Sequence, residues 1–409
     1  MAAPPDAAQP DAAPPDTAPP GPAPGPAPLE TPPLRLLRLR LTDFRSYPAF
    51  EARFGGRIVA IAGPNGVGKT NLLEAISLLG PGRGLRGARA GEIGRRPPGG
   101  AALPWVAWGA FDGPDGPAEI GTGTTAEGGD AARRKYTLDG EPAKSQAELA
   151  RRAGAVWLTP QMDRLFQDGA SGRRRFLDRL VWALEPGHAR EVAAHDTAMS
   201  GRNRLLAEGR RDAAWLAALE DAMARHAVAA VAARRALALR LNALLEAGTA
   251  TGAFPAARIE LACPIAAALE AAPALAVEDR LRAELAAGRG RDAAAGGAQQ
   301  GAHRTDMTLV HLPKGQPAEL CSTGEQKALL VSTVLAHAAL IGAARGFAPL
   351  LLLDEVAAHL DLGRREALYA ALAGLPAQVF LTGTEPDIFA PLQGIAETFR
   401  ATPEGLRDP

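Results

Sequence analysis

Gly63-Pro64-Asn65-Gly66-Val67-Gly68-Lys69-Thr70 decides how this chain is read. The octapeptide fits G-x-x-x-x-G-K-[ST], a loop that wraps around phosphate. Its glycines let the backbone turn so that N–H groups point at phosphate oxygens. Lys69 supplies charge to the β- and γ-phosphates, and the Thr70 hydroxyl is a candidate Mg²⁺ ligand. Asn71 follows directly and belongs to the same nucleotide-facing stretch. The flanks supply the context the motif needs. Residues 58–62 read as a strand and 69–79 as a helix, whose N-terminal dipole favours a bound anion.

Working outward, Leu350-Leu351-Leu352-Leu353 is a continuous apolar run, as expected of a strand buried on both faces of a parallel sheet. Asp354-Glu355 ends it in the manner of a Walker B element. Asp354 is the candidate to hold Mg²⁺, and Glu355 the candidate to polarise an attacking water, with Lys69 as its catalytic companion. An apolar strand ending in acids is a weak signal alone and becomes strong beside the phosphate loop. Between the two lies Ser322-Thr323-Gly324-Glu325-Gln326, which opens an apolar helical stretch over 328–341. Ser and Gly there also fit ordinary helix capping.

The rest of the chain frames these motifs. Residues 1–33 are almost entirely Ala, Pro, Asp and Gly, and are expected to form a disordered tail with too little apolar surface to fold. Residues 38–41 alternate as a strand does, and strands are expected over 105–120 with turns at Asp112-Gly113 and Asp115-Gly116. Tyr136-Thr137-Leu138, turning at Asp139-Gly140, reads as a hairpin. From 171 to about 291 the helix formers Ala, Leu, Arg and Glu dominate. There Leu205, Leu216, Met223, Val228 and Val231 recur at helical spacing, as packed core does. Residues 288–301 are expected to be a loop. No run is apolar enough to suggest a membrane span, since 331–341 is interrupted by Ser332, Thr333 and His337. No signal peptide is expected. Cys263 and Cys321 form neither a disulfide framework nor a zinc pattern. Lys and Arg number 45 against 45 Asp and Glu, so any nucleic-acid contact must be local or completed by a second copy.

The S-x-G-x-Q element upstream of the Walker B strand resembles the signature motif of ABC ATPases. That resemblance implies that Ser322, Gly324 and Gln326 complete the ATP site of an opposite protomer. His359-Leu360-Asp361 resembles the D-loop of that family and adds Asp361. About 250 residues separate Lys69 from Ser322, room for a whole inserted lobe. Five further blocks resemble the RecF family in order. They are Leu41-Thr42-Asp43-Phe44-Arg45-Ser46-Tyr47, Gly82-Arg83-Gly84-Leu85-Arg86, Arg173-Arg174-Arg175-Phe176-Leu177-Asp178, Gly301-Ala302-His303-Arg304-Thr305-Asp306 and Thr382-Gly383-Thr384-Glu385. Ala302 and Thr305 depart from the family's usual Pro and Asp, and Thr323 from its common Gln or Gly. Thr384 stands where transporters carry a switch histidine.

The resemblance implies an α/β fold, an ABC-type P-loop ATPase head with an inserted, mostly helical second lobe. Its expected divisions are 34–164 with 302–409 for the ATPase lobe, 165–301 for the helical lobe, and the signature at 322–326. It also implies ATP and Mg²⁺ as cofactors and an ATP-dependent homodimer in the cytoplasm. The implied partners are gapped or double-stranded DNA and mediator proteins of the RecR/RecO type, with no membrane. The implied activity is recognition of gapped or junction DNA to assist recombinase loading, with hydrolysis slow enough to act as a switch. By analogy, Gln161 is a candidate Mg²⁺- and water-sensing residue, and Arg45 a candidate phosphate contact. Arg173, Arg174 and Arg175, or else Arg83, Arg86 and Arg89, are candidate DNA contacts, with pairing of the first three to nearby acids such as Asp178, or positioning of the lobe, as the alternative. Three rival readings stand beside it. A transporter-energising ABC subunit fits poorly with the long insert. A nuclease-linked ATPase needs an acidic metal cluster beyond these motifs. An SMC-like tether needs a far longer coil than 171–291 supplies.

Overall fold

The computed structural model describes residues 32–125, 134–209, 212–248 and 254–408. The stretch read as a disordered tail lies, through residue 31, outside the described residues. Residues 31–409 form one compact unit. At its start among the described residues, the Pro32 carbonyl accepts from Ala348 N at 3.1 Å.

Two six-stranded sheets carry the phosphate-loop side of the molecule. The first is antiparallel in the order Tyr47–Arg53, Arg35–Phe44, Val106–Gly113, Gly116–Gly123, Lys135–Leu138, Glu141–Pro142. The expected hairpin closes at Asp139 and Gly140, both at positive φ (52° and 87°), which suits a tight turn between twisted strands. The second sheet runs Gly405–Arg407, Ala396–Thr402, Ile58–Ala62, Val379–Gly383, Leu350–Leu353, Ala155–Leu158. All but its first strand are mutually parallel. Ile58–Ala62, Leu350–Leu353 and Val379–Gly383 are buried at every residue. Helix Lys69–Leu78 lies between the sheets, with Leu72, Leu73 and Ile76 in a core shared with Leu39, Val59 and Phe380.

Helices Ala170–Leu184, His188–Ala207 and Ala213–Ala247 follow, as the composition implies. Leu205, Leu216, Met223, Val228 and Val231 are all buried. Two local expectations fail here. Ala257–Ala262 is a strand within the helical stretch, and it pairs antiparallel with Asp306–His311. Its Arg-Ile-Glu-Leu alternation is the period-two signal, obscured by the surrounding alanines. Residues Arg289–Ala294 form a helix inside the segment expected to be a loop. The cause is tertiary: Asp292 is 2% exposed and accepts from Arg202 at 2.8 Å.

The helix Thr323–Arg345 also corrects the reading of the apolar runs. By length and composition it could cross a membrane, yet 83% of its apolar window is buried inside the protein. Ser332 Oγ and Thr333 Oγ1 donate there to Pro255 O and Leu329 O, and His337 Nε2 bonds Leu180 O while its Nδ1 has no protein partner. It runs through the largest apolar cluster among the described residues, in which its Leu329, Leu330 and Val334 join residues of the parallel sheet and of the helical stretch.

Candidate nucleotide site

Ile58–Ala62 delivers Gly63 to one end of the parallel sheet, where Gly63 N donates to Gly383 O at 3.1 Å. Gly66 and Gly68 sit at φ 82° and 115°, in the left-handed region that glycine tolerates. At Gly68 a Cβ would fall 2.5 Å from the Tyr47 hydroxyl. At Gly63 it would meet Ala401 O at 2.9 Å. Pro64, Asn65 and Val67 complete the loop. The loop is therefore a cradle that side chains would fill.

Lys69 is 4% exposed. Its ammonium donates to Gly63 O (2.7 Å) and Pro64 O (3.1 Å) and lies 3.3 Å from Glu355 Oε1. A buried cation is thus held over the loop by two carbonyls and one carboxylate. Thr70 Oγ1 donates to the Asp354 carboxylate, 2.9 and 3.0 Å from its two oxygens. Thr382 Oγ1 donates to Asp354 Oδ1 at 2.8 Å and accepts from Glu355 N at 3.0 Å. Burial raises the Asp354 pKa, against the two hydroxyl hydrogen bonds that lower it. A hydroxyl and a carboxylate meeting at a strand end form a hard-oxygen donor set of the kind Mg²⁺ takes. The residues present therefore fit both a triphosphate and its metal.

Gln161 is exposed in the 3-10 turn Pro160–Arg164. That turn directly follows Ala155–Leu158, which pairs with Leu350–Leu353, and Asp354 N donates to Leu158 O at 2.9 Å. Gln161 thus stands on the strand end adjoining Asp354. Arg45 is otherwise engaged. Its guanidinium forks onto Glu74 at 2.9 and 2.6 Å and donates to Glu92 O at 2.7 Å. Asn71 donates to Ser46 Oγ and accepts from Arg86, which also reaches Glu74 at 2.7 Å.

Ser322 caps the helix Thr323–Arg345 in a reciprocal capping box with Glu325. The Lys314 ammonium and the Ser322 backbone and side chain hold the Glu325 carboxyl down at about 2. Gln326 is buried, donating to Cys321 O at 3.1 Å while its Oε1 has no protein partner. A Cβ on Gly324 would collide with the Arg364 guanidinium. Arg364 in turn opens the helix Leu362–Gly374 that Asp361 caps, at 2.9 Å. The structure therefore brings the signature and Asp361 together through Arg364. Leu320 and Leu362 beside them are 72% and 64% exposed.

The basic run behaves differently from the DNA surface entertained above. Arg173 forks onto Asp306 at 2.8 and 2.6 Å, and Arg174 donates to Thr305 O at 3.0 Å, leaving Arg175 exposed. Of the alternative cluster, Arg86 is tied to Glu74, while Arg83 and Arg89 are exposed.

Four contributors escaped sequence reasoning: Tyr47 over Gly68, Glu74 between two arginines, Thr382 bridging the acidic pair, and Arg364 over Gly324. Glu74 carried a usable signal, a carboxylate among the apolar residues of Asn71-Leu72-Leu73-Glu74-Ala75-Ile76. The other three are contacts between segments remote in sequence.

The model of the RecF/RecN/SMC N-terminal domain matches residues 35–403. The DNA replication and repair protein RecF of Mesorhizobium japonicum is 49% identical over 361 residues, covering 88% of this chain and 94% of that protein. That of Rhizobium etli is 47% identical, covering 89% and 96%. A solved structure described as the recombination mediator protein RecF-ATPrS in the RecFOR pathway superposes with a TM-score of 0.79 at 21% identity, covering 92% of this chain and 98% of the other. The fold is that of an ABC-type P-loop ATPase head, and the chain belongs to the RecF family of DNA replication and repair proteins.

Proposed function

We propose that the chain is an ATP-gated DNA-binding protein that acts at gapped or single-strand/double-strand junction DNA. There it assists recombinase loading together with mediator proteins of the RecR/RecO type. The observation that carries this is the pairing of two couples at one strand end, Thr70 with Asp354 and Lys69 with Glu355. The loop Gly63-Pro64-Asn65-Gly66-Val67-Gly68 would wrap the phosphates of ATP, with Asn71 beside it. Arg45 would contribute only on leaving Glu74. Thr70, Asp354 and Gln161 would hold Mg²⁺, which supplies charge neutralisation at the β- and γ-oxygens. Lys69 holds positive charge at the loop, and Glu355 orients and deprotonates the attacking water.

Ser322, Gly324, Gln326 and Asp361 supply the face that meets a second copy. ATP then closes a homodimer on DNA, and slow hydrolysis reopens it. In this reading 34–164 and 302–409 act as the ATPase lobe and 165–301 as the second lobe, with Asp306–His311 tying them through its pairing to Ala257–Ala262. The chain acts in the cytoplasm, without a membrane partner. Gel filtration with ATP, without it, and with ATP plus a gapped duplex tests the reading. A dimer that needs ATP and moves further with the duplex is expected. A monomer in all three runs, or a dimer indifferent to ATP, overturns it.

A further inference from the structure

A cavity of about 540 Å³ lies at the end of the helix Lys69–Leu78 remote from the phosphate loop. Its walls come from the loop 80–84, the strand Ala155–Leu158 and three helices: Ala170–Leu184, His188–Ala207 and Thr323–Arg345. That volume is in the ligand-pocket range of about 300–1,000 Å³. Three of its lining residues carry a buried polar atom with no protein partner: Trp157 Nε1, His188 Nδ1 and His337 Nδ1. Such atoms are costly to leave unmade.

Their chemistry is definite. His337 is 1% exposed, and burial pushes its pKa down to about 3, so it is neutral. Its Nε2 lies 2.9 Å from Leu180 O and must donate, which leaves Nδ1 as an acceptor. His188, 3% exposed, holds Asp178 Oδ1 at 2.7 Å through Nε2, so its Nδ1 is the free nitrogen. Trp157 Nε1–H is a donor. None of the three nitrogens is reached by solvent in this conformation, so a ligand meets them by displacing the side chains that cover them, and their donor and acceptor character complements the edge of a nitrogen heterocycle.

The wall is also cationic. Arg179 lies 5.2 Å over the Trp157 ring and 5.1 Å over Phe176, with no carboxylate partner among the described residues. Arg83 and Arg175 line the same cavity, are exposed, and make no ion pair among the described residues. Of the two acids on the wall, Asp178 is paired with Arg234 and bonded by His188, while Asp196 is half exposed and bonded by His195. Trp182 closes the wall against Gly82, where φ is 103° and a Cβ would stand 2.8 Å from the indole.

We propose that this cavity is a second nucleotide site, separate from the phosphate loop. It takes one base against Trp157 and Trp182, with its polar edge on His188, His337 and Trp157 Nε1, and its phosphate on Arg83 and Arg175. The base comes from a DNA strand or from a free nucleotide. Only the strand source rests on the DNA reading above.

Photocross-linking separates the sources. One arm uses 5-iodo-dUMP with the Lys69→Met protein, so that the phosphate loop does not compete. The other uses wild-type protein, ATP and gapped DNA carrying 5-iododeoxyuridine in the gap. Cross-links mapped to Trp157 or Trp182 are expected. If the DNA arm alone gives them, the source is a strand; if the mononucleotide gives them, it is a free nucleotide. Trp157→Leu should weaken probe binding by about tenfold, the scale of one base stack. The double variant Arg83→Ala, Arg175→Ala alters only exposed side chains and keeps the test valid should Trp157→Leu misfold. It too should weaken probe binding, and on DNA flatten the salt slope by about 0.7 per lost contact. Absence of both cross-links in folded protein that still binds gapped DNA overturns the proposal and leaves the DNA reading intact. Cross-links that persist without ATP-dependent dimerisation would have the reverse effect.

Discussion

Glu355 stands at φ 52°, a left-handed conformation that costs a non-glycine residue roughly 1–3 kcal/mol. Thr382 holds it there by accepting from its N–H while donating to the Asp354 carboxylate, so one hydroxyl fixes the Glu355 backbone and the Asp354 side chain. Glu355→Gln preserves shape and removes the charge and the basic oxygen. ATP affinity should persist while turnover falls by about 10²–10⁴, the usual worth of a positioned acid or base. Steady-state hydrolysis beside a direct binding titration checks this, and wild-type turnover would remove Glu355 from the water-activating role. Arg173 makes a second residue-scale case. Its fork onto Asp306 is the first cause holding that carboxyl below its ordinary value. A depressed carboxyl contributes stability above its unfolded pKa, about 3.9, and loses it as pH falls through the folded value. Arg173→Ala should therefore cost about 1–3 kcal/mol near neutrality. Denaturant melts should show that difference shrinking below about pH 4. A pH-independent difference would mean that packing of the arginine stem, not the ion pair, matters.

Among the elements, the helix Thr323–Arg345 joins the signature to the core. Its N-terminus bonds within its own capping box, while Gly324 lies under Arg364 and Leu320 and Leu362 stay exposed. Ser322→Arg should leave ATP binding by the monomer unchanged and block ATP-dependent dimerisation, because a bulky cation would crowd the helix end. Sedimentation with ATP reads the outcome; a dimer of normal affinity would leave Ser322 a plain helix cap. Elements of this kind were legible from sequence because their signals are local. The phosphate loop needs its glycines at fixed offsets, and the buried parallel strand needs an unbroken apolar run. The Asp139-Gly140 turn likewise needs residues that accept positive φ. What stayed hidden was set by partners far along the chain. Arg289–Ala294 is helical because Asp292 meets Arg202, and Ala257–Ala262 is extended because Asp306–His311 lies beside it. For the arginines at 173 and 174, internal pairing was legible as an alternative to a DNA surface, but not its partners, Asp306 and the Thr305 carbonyl about 130 residues on.

For the whole molecule, polar contacts tie the helical stretch together and to the segment 302–306, and apolar packing ties it to the parallel sheet. Arg234 grips Asp178 at 2.7 Å and Ala302 O at 2.6 Å, Arg173 grips Asp306, and the apolar cluster around Thr323–Arg345 spans Leu177, Leu241, Ile259 and Leu353. Residues 31–409 should therefore melt in one transition. A ligand that binds only the folded form adds about 2.7 kcal/mol at a hundred times its dissociation constant. For a unit of this size, that raises the midpoint by roughly 3 °C. Lys69→Met should abolish the rise with ATP. If ATP also drives dimerisation, the wild-type midpoint in ATP should climb further with protein concentration, since association consumes only folded chains. Ser322→Arg should keep the first increment and lose the second. Calorimetry over a tenfold range of protein concentration separates the two. Two resolved transitions would show that the helical stretch unfolds apart from the ATPase core. A midpoint in ATP independent of protein concentration would show that nucleotide binding and self-association are not linked.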